Sequence, residues 1–278
     1  MSLAEQIRGI EQRFGQTAGR SRVSPENDDH SPLPIAWREI DAALGGGLSM
    51  GALHEWFGVA PSKQFGAYQE DNTRRPAWTP PLLPLVHLVK QVISRSAFAQ
   101  RVVWIGRRCF PYGSTLIGAD GDRRLVERSV FVAADRPADR LWAVDLALRC
   151  PAVGVVVADG SGFDMAATRR IQLVAKAQHT PALLARPPWE VPELSAAQTR
   201  WLVRWAASSA SVEQESHQIN PRWSIELLRS KGGQAERRPR VWGLEWDRGE
   251  GAVRLSTTVA CPTGDAGVSA NDRRLQHT

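Results

Sequence analysis

Short apolar runs alternate with longer amphipathic stretches through the middle of the chain. Four of the runs have the length and the Val, Leu, Ile and Ala content of buried strands, at residues 101–106, 129–133, 153–159 and 182–186. Apolar positions recur at helical spacing in several of the stretches between them. Strands that alternate with helices are typical of a mostly parallel sheet covered by helices. The pattern therefore predicts an α/β fold.

The stretches between the strands predict helices at residues 137–149, 164–178 and 195–207. Pro137 suits a first helical turn, and Asp164 can cap the free amides at the start of the second helix. One face of this second helix carries a buried stripe of Ala167, Ile171 and Val174. The opposite face carries a polar stripe of Arg169, Gln172 and Lys176. That stripe is either a solvated face or a contact with a partner.

The end of the chain changes to alternating apolar and polar positions. Three such runs, at residues 223–229, 241–246 and 253–257, predict antiparallel strands that extend the sheet. We expect a domain at residues 32–260 between two less regular ends. An N-terminal helix is predicted at residues 1–14 from the spacing of Leu3, Ile7, Ile10 and Phe14. A flexible polar linker should follow at residues 15–31, and the tail at 261–278 should be disordered. Four prolines mark residues 61–81 as a loop.

Composition adds few constraints. The formal net charge of +6 and the isoelectric point near 9.8 suit a polyanion such as DNA, but they also suit proteins that bind none. Three widely spaced cysteines lack the spacing of a zinc site and predict free thiols in a reducing cytoplasm. The longest apolar run, residues 82–93, is too short to cross a bilayer. We therefore expect a cytoplasmic protein with no membrane role, no metal and no cofactor.

The segment at residues 40–58, IDAALGGGLSMGALHEWFG, resembles the start of a RecA-like core. In that group a Leu-Asp-x-x-Leu-Gly-Gly-Gly-Leu-x-x-Gly run leads into a strand, here Leu53–Phe57, and then into the phosphate-binding loop. Asp41, the three glycines at 45–47 and Gly51 match the run. The resemblance implies a RecA-like core with a mostly parallel sheet, flanking helices and an antiparallel C-terminal extension.

The loop expected after this strand departs from the pattern of an ATPase. A phosphate-binding loop requires Gly, four residues and then Gly-Lys-Ser/Thr, because amides wrap the phosphates, the lysine meets their charge and the hydroxyl holds magnesium. The chain reads GVAPSKQFGA, with Gly58, Ser62, Lys63 and Gly66. No glycine precedes Lys63, and Gln64 replaces the hydroxyl residue. We therefore expect the phosphate site to be degenerate.

Two further positions bear on catalysis. RecA-like ATPases orient the attacking water with a glutamate near the end of the next strand, whereas residues 103–109 read VWIGRRC without an acidic residue. Asp159 ends the run VGVVVAD and matches the terminal aspartate of a Walker B strand. An aspartate at that place also caps the following loop in many parallel sheets, and we favour this interpretation. The chain is therefore predicted not to be an enzyme.

Several motifs, in order along the chain, resemble ImuA-like proteins within the RecA-like group. They are Trp104, Pro111-Tyr112, Leu141-Trp142, Ala147-Leu148-Arg149, Arg169-Arg170-x-Gln172-Leu173 and WSIELLRSKGG at 223–233. The resemblance covers roughly residues 32–247. It implies a role in the SOS response and translesion DNA synthesis. It also implies an association with a Y-family-like ImuB-type protein and an error-prone replicative-type polymerase.

Three interpretations of function stay open. The first is an adaptor that binds RecA, an ImuB-type protein or the polymerase, with self-association as a variant. The second is a DNA-binding module, and the third is a weak residual ATP-binding protein. Candidate contacts with a partner or with DNA are Arg169, Gln172, Lys176, Arg229 and Lys231. Trp189, Trp201 and Trp205 lie outside the predicted strands and are candidates for surface anchors, with burial in the core as the alternative.

Overall fold

The computed structural model describes residues 32–60, 77–95, 100–117, 121–206, 220–231, 240–247 and 249–256. The predicted N-terminal helix 1–14, the linker 15–31 and the tail 261–278 lie outside these residues, and their assignment stays a prediction. Most of the predicted loop 61–81 lies outside them as well. Among the described helices, none has the length and apolar character needed to cross a membrane.

A nine-stranded sheet forms the centre of the fold, in the order β3-β2-β4-β5-β1-β6-β7-β8-β9. The strands are β1 Leu53–Phe57, β2 Arg101–Ile105, β3 Ser129–Val132, β4 Val153–Asp159, β5 Ala182–Arg186, β6 Thr199–Trp205, β7 Arg222–Ser230, β8 Arg240–Asp247 and β9 Ala252–Ser256. Strands β1 to β6 run parallel, and β7 to β9 continue the sheet antiparallel. The predicted fold class, an α/β RecA-like core with an antiparallel C-terminal extension, is confirmed.

Helices cover both faces of the parallel part. They are α1 Arg38–Ala43, α2 Leu82–Arg95, α3 Gly113–Leu116, α4 Arg124–Arg128, α5 Pro137–Arg149 and α6 Met165–Gln178, with 3-10 turns at Arg107–Cys109 and Pro188–Glu190. The predicted cap of α6 is present, because Asp164 accepts a hydrogen bond of 2.8 Å from the amide of Ala167. Helix α2 was not predicted. It accommodates Pro84 in its first turn, where a missing amide costs no intrahelical bond.

Two apolar clusters hold the layers together, one on each face of the sheet. The first lies on the α2 side and contains the fully buried indoles of Trp56, Trp104 and Trp201. Trp56 and Trp201 stack with their ring centroids 5.1 Å apart, which joins β1 to β6. The second cluster lies under α5 and α6 and consists mainly of Val, Ile, Leu and Ala. The parallel strands are thus buried on both faces, as their continuous apolar runs require.

The glycine run before β1 forms a turn that only glycine can adopt. Gly47 has a φ of 136°, and a Cβ atom placed there would lie 1.9 Å from the carbonyl oxygen of Leu33. This close approach lets Leu33 and Leu48 pair through two backbone hydrogen bonds of 2.7 and 2.8 Å. The run that resembles the start of a RecA-like core therefore has a structural role that needs no nucleotide.

A chain of buried hydrogen bonds ties this turn to the sheet through His54. The Nε2–H of His54 donates to the carbonyl oxygen of Ser49 at 2.9 Å, and its Nδ1 accepts from the Thr199 hydroxyl at 2.8 Å. The indole N–H of Trp201 in turn donates to the same hydroxyl at 2.8 Å. This arrangement requires a neutral imidazole, and complete burial lowers the pKa of His54 to about 4.

The predicted helix at residues 195–207 is wrong, because residues 199–205 form strand β6. Thr199, Trp201 and Val203 alternate along it and are all buried, which is the period of a strand. Its β-branched and aromatic residues fit a sheet, and it pairs with β1 on one side and β7 on the other. Of the candidate surface anchors, Trp201 is excluded for the same reason, because it is fully buried. Trp205 and Trp189, in contrast, are exposed.

The depressed pKa of His54 predicts a loss of stability in acid. The folded chain keeps this imidazole neutral down to about pH 4, whereas the unfolded chain protonates it below about 6.5. Falling pH therefore favours unfolding across this window, by about 3 kcal/mol at its lower end. Urea unfolding at pH 7.5, 5.5 and 4.5 measures the effect. We expect His54→Gln to show a shallower pH dependence than the wild type, and equal slopes would contradict the assignment.

Candidate functional site

The loop after β1 begins with amides that are already committed to carbonyl oxygens. Gly58 N donates to Arg186 O at 2.8 Å, and Val59 N donates to Thr79 O at 2.9 Å. Only glycine fits at the first position, since a Cβ atom on Gly58 would lie 2.2 Å from Thr79 O. The remaining predicted residues of the degenerate phosphate loop lie outside the described residues: Ser62, Lys63 and Gly66. The part of this loop that the structure describes offers no free amides at Gly58 and Val59 for a phosphate.

Asp159 ends β4, and its carboxylate contacts two groups, a backbone amide and a guanidinium. Its Oδ1 accepts a hydrogen bond of 2.9 Å from Ser161 N, which is the loop cap that the sequence favoured. Its Oδ2 lies 3.5 Å from Nε of Arg108. Arg108 follows β2, near the place where a RecA-like ATPase has its glutamate. The guanidinium is steadied by the ring of Trp78, whose centroid lies 5.1 Å away. A cation therefore occupies the surroundings of this carboxylate.

A fully buried carboxylate lies in the middle of the sheet, at Glu55 in β1. Its Oε1 accepts from Arg186 at 2.7 Å and from the Ser195 hydroxyl at 2.8 Å, and its Oε2 accepts from Arg200 at 2.7 Å. Arg186 also donates to Glu190 at 2.8 Å. We refer to these five residues as the Glu55 network. A buried charge is tolerated only when it is paired and fully hydrogen-bonded, and both conditions are met at Glu55.

The Glu55 network fixes the segment at residues 187–198, which connects β5 to β6. Glu190 accepts from Gly162 N at 2.9 Å, so this connection is also tied to the loop after β4. Arg200 donates to Val191 O at 3.1 Å, and the Ser195 hydroxyl accepts from Ala197 N at 3.1 Å. The loops at the carboxyl ends of β4 and β5 are thereby set relative to β1 and β6.

Arg229 at the end of β7 and Lys231 just after it, both predicted as partner contacts, hydrogen-bond to the same connection between β5 and β6. Arg229 donates from Nη2 to two carbonyl oxygens of residues 195–197, at 2.8 and 2.9 Å, and Lys231 donates to a third. Burial, with the charge of Arg200, lowers the pKa of Arg229, and burial likewise lowers the pKa of Lys231. The structure thus places both cations on the chain's own backbone, and their contact with a partner stays a prediction.

The predicted polar stripe of α6 divides into inward and outward residues. Gln172 turns inward, and its Oε1 accepts a hydrogen bond of 2.9 Å from Leu53 N. Arg169 and Lys176 are exposed. Two apolar side chains that the sequence did not single out accompany them, Met165 at 46% exposure and Leu173 at 60%. We call Met165, Arg169, Leu173 and Lys176 the α6 stripe. It combines cations with exposed apolar side chains and contains no acidic residue.

The outer faces of α5 and α6 are joined by one carboxylate. Asp145 on α5 accepts from Arg170 on α6 and from Arg149 on its own helix, each at 2.9 Å. The hydrogen bond from Arg170, followed by that from Arg149, lowers the pKa of Asp145 to about 2 against the cost of partial burial. The α6 stripe therefore lies on a helix that is linked to α5 by these ion pairs.

Sequence reasoning missed the Glu55 network and the pairing of Arg108 with Asp159. The sequence does contain a signal for the Glu55 network, because Glu55 interrupts the apolar run LHEWF and Arg186 ends the apolar run ALLAR. A charge inside a buried strand requires a partner of opposite sign. The identity of the partner could not be read from the sequence, since Glu55 and Arg200 are separated by 145 positions and meet only when β1 and β6 pair.

We expect Glu55→Gln to destabilise the fold strongly, because it leaves the buried guanidinium of Arg200 without a carboxylate and that of Arg186 with Glu190 alone. Loss of one partner from a buried pair typically costs about 3–5 kcal/mol. Glu226→Gln is the matched control, since it breaks the more exposed pair with Arg204, whose atoms lie 2.7 Å apart. That change should cost less than about 1 kcal/mol in urea unfolding. Comparable losses for the two variants would contradict the role assigned to Glu55.

Comparison with known proteins agrees with the resemblance to ImuA-like proteins that the sequence motifs indicated. No model of a known protein family matches the chain. Two curated relatives do, each called Protein ImuA, from the NA1000 and ATCC 19089 strains of Caulobacter vibrioides. Each is 29% identical over 233 residues, which are 79% of this chain and 86% of the relative. The chain is therefore similar to ImuA proteins over most of its length, as its sequence predicted.

Proposed function

We propose that the chain is a non-catalytic RecA-like accessory protein of DNA-damage-induced mutagenesis. It acts as an adaptor for RecA, for an ImuB-type protein or for an error-prone polymerase in translesion synthesis within the cytoplasm. The biological setting and these partners come from the resemblance to ImuA-like proteins. The absence of catalysis is supported above all by one observation, the placement of Arg108 3.5 Å from the carboxylate of Asp159.

This placement conflicts with triphosphate chemistry on electrostatic grounds. A Walker B aspartate helps to hold a magnesium ion that neutralises developing charge on the phosphates. A guanidinium beside the carboxylate repels that ion and lowers the negative potential that would attract it. The amides of Gly58 and Val59, which open the degenerate loop, are occupied as well. Each feature removes a different requirement of hydrolysis, and they support the same proposal.

The adaptor role is supported by the chemistry of the α6 stripe. A surface that binds only phosphates needs cations and gains nothing from exposed apolar side chains. Leu173 and Met165 provide apolar area, while Arg169 and Lys176 provide positive charge beside it. The complementary partner is a protein segment with apolar anchors flanked by acidic residues. Trp142, on the helix α5 that packs beside α6, is also 42% exposed.

Direct binding of DNA is the alternative function. It is favoured by the net charge of +6 and by the lack of acidic residues in α6. In this case the cations of the α6 stripe contact phosphates, and affinity falls steeply with salt through counterion release. In the adaptor case the apolar side chains contribute as much as the cations, and binding tolerates salt.

The first prediction from this proposal concerns turnover. Purified protein should show no magnesium-dependent ATP hydrolysis above buffer, with RecA on single-stranded DNA as the positive control. Asp159→Asn should leave the rate at background, since the residue caps a loop and pairs with Arg108 instead of holding magnesium. Turnover that disappears in Lys63→Ala would contradict the proposal directly.

The second prediction concerns the α6 stripe. We expect Leu173→Asp and Arg169→Glu each to weaken binding to a purified ImuB-type protein or RecA by about tenfold or more. Both residues are exposed, so melting temperatures should not change. Arg95→Glu, at the exposed end of α2, is the charge-matched control and should bind normally.

The same variants separate the two functions. If DNA is the ligand, Arg169→Glu should weaken binding to a single-stranded oligonucleotide and Leu173→Asp should do so far less. Protein binding that is insensitive to Leu173→Asp would contradict the adaptor role of this face.

A further inference from the structure

A polar cleft of about 420 Å³ opens at the carboxyl ends of β2, β3 and β4. Its charged and hydroxyl-bearing lining consists of Arg107, Arg108, Asp135, Arg140, Asp159 and Ser161, which we call the arginine cleft. The connection after β2 leads outward to β3, and the chain then returns to β4 on the other side of β2. Such a reversal of strand order opens a crevice where ligands bind in α/β sheets. Strand β5 separates the cleft from the loop after β1.

Arg140 supplies a buried positive charge to this cleft. Its side chain is only 5% exposed, yet its hydrogen bonds all go to uncharged oxygens. They are the backbone oxygens of Asp159, Asp135 and Ser161 and the Ser161 hydroxyl. These four bonds use four of its five N–H donors, and one donor on Nη1 has no partner among the described residues. A buried guanidinium without a directly bonded carboxylate attracts an anion.

The other charged side chains of the arginine cleft do not neutralise the positive charge of Arg140. Arg108 is paired with Asp159, and Arg107 lies 3.8 Å from Asp135 in a loose contact between two largely exposed side chains. Three arginines and two aspartates thus leave one net positive charge in the cleft. Arg107 is 73% exposed, so it can turn toward a ligand without loss of packing.

The N-terminus of α5 adds to the positive electrostatic potential of the arginine cleft. This helix of 13 residues begins at Pro137 on the wall of the cleft. Pro137 has no N–H, and the preceding residue, Arg136, forms no side-chain cap, so the first-turn amides of Ala138 and Asp139 are not satisfied in that way. Amides at a helix N-terminus favour negative charge and bind phosphate oxygens. The hydroxyl of Ser161 accepts from Arg140 and keeps its own hydrogen for a further acceptor.

We propose that the arginine cleft binds a phosphate group. The donors come from three segments of the chain, namely Arg107 after β2, the free Nη1 hydrogen of Arg140 with the first turn of α5, and the Ser161 hydroxyl after β4. A tetrahedral anion with several oxygens and up to two charges uses such a set more fully than a planar carboxylate does. The phosphate belongs either to a small molecule, such as inorganic phosphate or a mononucleotide, or to a nucleic-acid strand. This site is separate from the degenerate loop and does not depend on the adaptor role.

The test follows the melting temperature of the full chain in titrations with sodium phosphate, dAMP and a ten-nucleotide dT oligomer. Ionic strength is held constant with sodium chloride, because unspecific screening would otherwise imitate binding. We expect saturable stabilisation by the phosphate compounds, since they bind the folded chain. Arg107→Glu should raise the midpoint concentration by about tenfold or more, and Ser161→Ala should raise it by a smaller factor.

Arg123→Glu is the matched control. It makes the same change of charge at an exposed residue just before α4, which leads into the opposite end of β3, and it should shift the midpoint less than about twofold. Saturation by inorganic phosphate and dAMP assigns the site to small molecules, while response to the oligomer alone assigns it to a strand. Equal titrations for wild type, Arg107→Glu and Arg123→Glu would overturn the proposal. Stabilisation by an oligoglutamate peptide in place of the phosphate compounds would overturn it as well.

Discussion

The fold depends on the charge of one carboxylate, Glu55, at the centre of the sheet. A buried ion requires partners on every side, and the partners of Glu55 come from β5, from β6 and from the connection between them. This requirement sets the register of the three strands and holds the segment 187–198 against the sheet. Through Glu190 and Gly162 it reaches the loop after β4. The loops after β4 and β5, at the edge of the sheet where RecA-like proteins act, therefore have fixed positions here.

Within this frame, arginines occupy the positions around Asp159. Arg108 pairs with its carboxylate, and Arg140 binds its backbone oxygen at 2.7 Å. In a RecA-like ATPase the same region must accept a magnesium ion, so two guanidinium groups reverse the local potential. A site for a metal cation becomes a site suited to an anion. The resemblance to ImuA proteins and the proposed loss of catalysis both fit this reversal, which supports the proposed function by binding.

The sequence predicted most of the fold because buried parallel strands and capped helices leave local signals. Residues 153–159 form a continuous apolar run, and Asp164 caps α6 as its position implied. It failed at β6, where burial of Trp201 against Trp56 depends on a strand far away in sequence. The site was less predictable for the same reason. Arg108 and Asp159 are 51 positions apart in the numbering, and no local pattern shows that they meet.

The most direct measurement of the central claim is the frequency of damage-induced mutation in cells whose own copy of the gene is replaced by variants. We expect Lys63→Ala and Asp159→Asn to support mutagenesis at the wild-type frequency, because neither triphosphate binding at the degenerate loop nor hydrolysis is required. The double variant Leu173→Asp/Arg169→Glu should reduce the frequency to that of a deletion at an equal protein level. Loss of mutagenesis in Lys63→Ala, together with normal mutagenesis in the double variant, would contradict a function based on binding.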